Sequence, residues 1–171
     1  MIANKNLLEW LRKIDNKLNK KIVIVAVGGT ALTLMNLKES TKDIDLCVEK
    51  SDYELLRKAI PKDKFGADIF QDGYIFCLQL PEDYIKLSKD YEKKIFKNIL
   101  LKLLNPLDII ITKAARYNAR DEEDIALIIN KISINKDKLI KRFKEASLTF
   151  AGSDNNFSYN FKIMLKRYFK E

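Results

Sequence analysis

The sequence predicts an α+β fold: a mixed sheet flanked by helices, followed by a helical C-terminal half. Three observations point to it. Up to about residue 104, short β-branched runs alternate with helical patterns. From Asn105 onward the apolar spacing is that of helices. At the boundary stands Asn105-Pro106, a capping residue followed by a proline in the first turn, where its missing amide proton costs nothing. The expected organisation is a sheet domain over 1–104 with a helical region over 105–171 packed on it.

Leu7, Leu11, Ile14 and Leu18 recur at helical spacing among lysines and asparagines, giving an amphipathic first helix. The apolar run Ile22–Val27 reads as a buried strand, and Gly28-Gly29 lets the backbone turn with no side chain in the way. Thr30–Leu37 reads as a short helix. The chain then returns through a polar loop to a second strand, on which Asp43 and Asp45 share one face and Ile44 and Leu46 the other. Ser51-Asp52-Tyr53-Glu54 has the form of a capping box before a helix carrying Leu55, Leu56 and Ala59, closed by Pro61.

Asp72-Gly73, set between Ile69-Phe70-Gln71 and Tyr74-Ile75-Phe76, is the short-turn chemistry of a β-hairpin, so Asp72 is a turn residue and Asp68 lies inside a strand. From Pro81 to Lys97 the pattern weakens: Pro81-Glu82-Asp83-Tyr84 can open a helical turn, and Ile95–Leu104 can form another strand. After Asn105, Leu107, Ile110, Ile111 and Ala114 form a buried stripe, while Lys113, Arg116 and Arg120 line a second stripe of cations. Asp121 and Asp124 start a further helix whose Ile125, Ile128, Ile129 and Ile132 face inward. Two last helices are expected, around Leu139, Ile140 and Phe143 and around Phe157, Phe161, Met164 and Tyr168, with Ala151–Asn156 as the loop between them.

At 171 residues the chain suits one domain, or one domain with a helical appendage. Apolar residues at 47% and charged residues at 33% are those of a soluble globular protein. The polar start Met-Ile-Ala-Asn-Lys-Asn is no signal peptide and Ile22–Val27 is too short to span a bilayer, so a cytoplasmic protein without membrane association is expected. Cys47 and Cys77 fall inside predicted strands without CxxC spacing and read as reduced core residues. The chain has no histidine, which excludes Ser-His-Asp, Cys-His and histidine-ligated zinc chemistry and leaves a hard, oxygen-bound metal as the one to expect. A net charge of +8 has two readings, phosphate-bearing partners or lysines on solvated helices.

A glycine pair directly after a buried strand, thirteen spacer residues from Gly29 to Asp43, and then Asp-apolar-Asp-apolar resemble the signature of the DNA polymerase beta-like nucleotidyltransferases. Within that superfamily, Gly28-Gly29-Thr30-Ala31-Leu32, Asp43-Ile44-Asp45-Leu46 and the Lys113–Asp124 segment look most like the small AbiEii toxin-like branch. The resemblance implies a nucleotidyltransferase-like sheet and transfer of a nucleoside monophosphate from a nucleoside triphosphate. Asp43 and Asp45 would hold a divalent cation, Mg2+ or Mn2+, and Asp68 would stand as a third acidic residue, although a solvated edge-strand carboxylate is an equal reading.

In the same reading Gly28, Gly29 and the Thr30 hydroxyl approach the β- and γ-phosphates at a helix start. Lys42 is either a phosphate contact or a solvated loop residue. Lys113, with Asp121 or Asp124, would complete the site, the lysine acting as a point charge on the triphosphate. Otherwise Arg116 and Arg120 pair with Asp121 and Asp124 in surface salt bridges. The implied acceptor is an RNA end, tRNA first, or a protein hydroxyl, with a cognate antitoxin as a further partner. The competing reading is a catalytically silent nucleotide-binding or antitoxin-like module of the same fold. A kinase-like use of the cradle ranks last, since neither the Walker motif nor the protein-kinase glycine loop is present.

Overall fold

A computed structural model describes residues 1–92, 95–150 and 154–169. In chain order the elements are β1 (Ile2–Ala3), α1 (Asn4–Asp15), β2 (Ile22–Ala26), α2 (Gly28–Leu34), β3 (Ser40–Thr41), β4 (Ile44–Val48), α3 (Lys50–Ala59), β5 (Ala67–Gln71), β6 (Tyr74–Ile75), β7 (Leu78–Gln79), α4 (Tyr84–Leu87), β8 (Lys89–Asp90), β9 (Ile99–Leu103), α5 (Pro106–Arg116), α6 (Ala119–Lys131), α7 (Lys136–Ser147) and α8 (Asp154–Tyr168). The fold is α+β. Seven strands form one mixed sheet in the order β7-β6-β5-β4-β2-β9-β8, and β1 and β3 make a separate two-stranded ladder.

Two pairings set up the site. β2 runs antiparallel to β4, with Val25 opposite Cys47 and Ala26 opposite Leu46, so the C-terminal end of β2 lies beside the N-terminal end of β4. β4 runs parallel to β5, with Ile44 opposite Ala67 and Asp45 opposite Asp68. β4 is the central strand, between β5 and β2, and Ile24, Val25, Ala26, Ile44, Leu46 and Cys47 of β2 and β4 are fully buried. On the helical side, α1 packs against α2 and α3, whereas α5 packs against α6, α7, α8 and α2.

Several expectations are corrected at their edges. The short helix begins at Gly28 rather than Thr30, so the glycines form its first turn, and it ends at Leu34. The helix after β4 begins at Lys50 with Glu49 as N-cap; Ser51 caps nothing, and the Asp72 side chain of the next hairpin accepts from Lys50 N at 2.8 Å instead. Asp72 and Gly73 do form the turn between β5 and β6, both with positive φ. Cys77 lies in the connection between β6 and β7, half-buried, rather than in a strand, and both cysteines are free. Arg120 does not continue the cation stripe: α5 stops at Arg116, Tyr117 turns left-handed at φ 50°, and Arg120 belongs to α6. Of the loop expected over Ala151–Asn156, residues 151–153 lie outside the described residues, and from Asp154 the chain is helical.

Other expectations are met by packing. Asn105 Oδ1 accepts from Leu107 N at 2.9 Å, with Pro106 at the helix start. Phe143 of α7 stacks on Phe161 of α8 with ring centroids 3.8 Å apart. The strand expected over Ile95–Leu104 is the shorter β9, Ile99–Leu103, which pairs in parallel with β2. Among the described residues, no helix is long and apolar enough to cross a membrane.

Candidate active site

The glycine turn and the acidic strand meet because β2 and β4 are antiparallel neighbours. Val27 N donates to the Asp45 carbonyl at 3.1 Å, which places Gly28 against the Asp45 side chain. A Cβ at Gly28 would lie 2.9 Å from Asp45 Oδ2, and the residue's φ of +52° disfavours any side chain independently. A Cβ at Gly29 would lie 2.6 Å from Thr41 Oγ1. Thr30 is buried and bridges the two segments: its hydroxyl accepts from Asp45 N at 2.9 Å and donates to the Asp43 carbonyl at 3.3 Å. Thr41 Oγ1 donates to the same carbonyl at 3.0 Å. Thr30 and Thr41 therefore hold the acidic strand against the turn, while first-turn amides such as those of Gly28 and Gly29 have no partner inside the helix.

Asp43, Asp45 and Asp68 share one face. Asp43 immediately precedes β4, Asp45 is its second residue, and Asp68 is the register partner of Asp45 on β5. Ile44 N donates to the Gly66 carbonyl at 2.9 Å, and a Cβ at Gly66 would come within 3.3 Å of Asp43 Oδ1, so Gly66 keeps the approach to Asp43 open. Exposure rises across the group: Asp45 is 9% exposed, Asp43 half-buried and Asp68 exposed. Lys42 is exposed next to Asp43. Burial, then the negative charges of Asp68 and Asp43, push the Asp45 carboxyl up to about 7 against the opposing pull of Lys113 and Arg116. Among the described residues, no lysine or arginine lies within ion-pair distance of these three carboxylates.

The cations stand one step back. At the end of α5, Tyr117 N–H closes onto the Lys113 carbonyl at 2.7 Å, and Asn118 then caps α6 by accepting from Asp121 N at 3.1 Å. This tight junction folds Asp121 and Asp124 back onto Lys113. Lys113 Nζ lies 3.2 Å from Asp121 Oδ1 and 2.7 Å from Asp124 Oδ2. Arg116 extends the chain of charges to Asp121 at 2.9 Å, and Lys38, from the loop after α2, reaches Asp124 at 2.8 Å. Lys113 is only 4% exposed and Asp121 1%, so these are buried pairs rather than the surface bridges the sequence allowed. Burial works against the Asp124 charge, but Lys113 and Lys38 hold its carboxyl below the usual range.

The structure thus brings Gly28, Gly29, Thr30, Asp43, Asp45 and Asp68 to one place and gathers Lys113, Asp121 and Asp124 into one ion chain. The sequence reading missed Lys38 and Gly66. Asn118 was also missed, although the spacing Asn118-Ala-Arg-Asp121 is a legible helix-start signal. A groove of about 760 Å³ between α1 and Lys89–Glu92 is lined by none of Asp43, Asp45 and Asp68.

An oxygen-bound divalent cation fits the donor set. Three carboxylates side by side without a compensating cation repel one another, and Asp45 responds by holding its proton to an unusually high pH. Among the described residues, no three acidic, cysteine or histidine side chains form a complete cage. A cation held here by Asp43 and Asp45 would therefore need further oxygen ligands from water or substrate.

Residues 4–171 match the family model described as nucleotidyltransferase of unknown function (DUF6036). Among solved structures, the chain is similar to a candidate nucleotidyltransferase from Thermotoga maritima, with a TM-score of 0.51 and 16% identity over 77% of this chain and 97% of that one. At that identity the likeness concerns the fold. No curated protein matches.

Proposed function

Because the chain belongs to the family of nucleotidyltransferases of unknown function (DUF6036), we propose that it transfers a nucleoside monophosphate from a nucleoside triphosphate to an acceptor hydroxyl in a reaction dependent on Mg2+ or Mn2+. The observation that carries this reading is the register of Asp45 opposite Asp68, with Asp43 on the same face and Gly28 against Asp45. It supports a site in which metal and polyphosphate are held together.

In this reading Asp43 and Asp45 hold the cation. When bound, the ion neutralises the triphosphate oxygens and favours ionisation of the acceptor hydroxyl. Gly28 and Gly29 offer backbone amides to the β- and γ-phosphates where a side chain would collide with Asp45 or Thr41. Lys113 supplies a positive charge, its position set by Asp121 and Asp124; Lys42 adds a mobile one. The acceptor oxygen attacks the α-phosphorus, the bond to the bridging oxygen breaks, and pyrophosphate leaves. Asp68, exposed beside Asp45, takes the hydroxyl proton directly or through water.

The acceptor we favour is an RNA end, tRNA first, with a protein hydroxyl second. A net charge of +8 supports a polyanionic partner. A toxin-like role alongside a cognate antitoxin follows from the sequence resemblance to the AbiEii branch. Incubation with labelled triphosphates, Mg2+ and total RNA or cell protein tests the reading: label transfer is expected from the wild type, and transfer that persists in the Asp43→Ala/Asp45→Ala double variant refutes it.

A further inference from the structure

Besides Tyr117, which follows Arg116 in the chain, a second strained residue lies against the cation cluster: Phe76. It has φ +56°, a left-handed conformation that a bulky side chain rarely adopts. Its ring is committed on two sides: it meets Phe70 edge-on with centroids 4.9 Å apart, and the Arg116 guanidinium lies over it at 3.6 Å. Phe70 follows Asp68 by two positions on β5, so its side chain shares the acidic face. From Asp68 the site thus continues through Phe70 and Phe76 to Arg116, and from there through Asp121 to Lys113. The β6–β7 connection and the end of α5 close round the acids as an aromatic and cationic wall.

The charges in that wall do not cancel. Lys38, Lys113 and Arg116 carry three positive charges against the two negative charges of Asp121 and Asp124. Lys113 is covered, whereas the Arg116 side chain keeps 34% of its surface open to solvent. The Lys38 side chain is as open, at 33%, so the surplus positive charge is shared by a flexible ammonium and a flat guanidinium, and of these it is the guanidinium whose orientation is fixed, by a ring on one side and a carboxylate at its edge. A planar cation held in this way can offer two parallel N–H donors to phosphate oxygens without first losing side-chain freedom.

We propose that Arg116 binds the polyphosphate of the nucleoside triphosphate and that Phe76 is the positioning residue that holds it flat; this rests on the nucleotidyltransferase reading above. Phe76 has its strained backbone because that conformation turns the ring under Arg116.

Calorimetric titration of the full chain with inorganic tripolyphosphate and with a nonhydrolysable nucleoside triphosphate, each with Mg2+, tests the proposal. Arg116→Gln is expected to weaken both ligands roughly tenfold or more. Phe76→Gly, which tolerates positive φ but lacks the ring, is expected to weaken them roughly threefold at an undiminished melting temperature. Phe76→Tyr should restore wild-type affinity, and Arg116→Lys should not. If the wild type binds and Arg116→Gln or Phe76→Gly binds equally well, the role of Arg116 is overturned while the nucleotidyltransferase reading stands. Should Arg116→Gln not fold, Arg116→Lys and the two Phe76 variants decide the matter. A wild type that binds neither ligand overturns both.

Discussion

Gly28 and Asp45 are packed so that a single added carbon on the glycine would lie 2.9 Å from the carboxylate oxygen Oδ2. Gly28→Ala therefore carries a backbone cost of about 1–2 kcal/mol for the left-handed conformation, plus a displacement of Asp45. The melting temperature is expected to fall by several degrees, while nucleotide transfer falls by two orders of magnitude or more because the displaced group is a proposed metal ligand. Thermal melting and the labelled-nucleotide assay, run on the same preparation, separate the two effects.

Lys113 holds Asp121 and Asp124 together in a buried cluster. Lys113→Met leaves two buried carboxylates sharing only Arg116 and Lys38, and should cost about 3 kcal/mol in urea unfolding. Arg120→Ala is the control: Arg120 is exposed and, among the described residues, unpaired, so its loss should stay within about 0.5 kcal/mol.

The Asp45 carboxyl is pushed up to about 7 by burial and by Asp68 and Asp43, above the value of about 4 it has in an unfolded chain. A group with a raised native pKa favours folding at low pH and withdraws that support as pH rises through the native value. Asp45→Asn should accordingly leave stability unchanged near pH 4 and raise the melting temperature near pH 8, where the wild type carries a buried charge. Mg2+ should stabilise the wild type at pH 8 and leave Asp45→Asn unaffected. Melting curves at the two pH values, with and without Mg2+, check both parts.

Arg142 and Asp108 tie α7 to α5, with Nε to Oδ1 at 2.6 Å and Nη2 to Oδ2 at 3.0 Å, and Arg142 also reaches Asp83 at 2.7 Å. Burial opposes the Asp108 charge, and its carboxyl stays above the usual range despite the arginine. Arg142→Ala strands a fully buried carboxylate and should cost about 3–5 kcal/mol, whereas Arg142→Met combined with Asp108→Leu should cost far less than the sum of the single changes. Denaturant unfolding of the three variants measures the coupling.

The sequence showed the centre of this site because periodicity and turn chemistry are local. Gly28-Gly29 after an apolar strand, Asp43 alternating with Asp45, and Asp72-Gly73 each depend on neighbours within a few residues. What pairs across the sheet was not legible: the partnership of Asp45 with Asp68 depends on β4 and β5 running in parallel in one register. The same limit hid Lys38, whose carboxylate partner is 86 residues away, and Phe76, whose importance lies in an unusual φ and in a helix from the other half of the chain. Arg120 was misplaced for a local reason. No glycine at position 117 announces the left-handed cap, so the helical period was carried four residues past the end of α5, to the second residue of the next helix.

Anomalous diffraction from crystals grown with Mn2+ and a nonhydrolysable nucleoside triphosphate tests the central claim most directly. The account predicts a manganese peak at about 2.2 Å from carboxylate oxygens of Asp43 and Asp45, with the triphosphate against Gly28 and Gly29. A manganese ion bound away from both aspartates, or a nucleotide lodged in the groove between α1 and Lys89–Glu92 with the acids unoccupied, would contradict it.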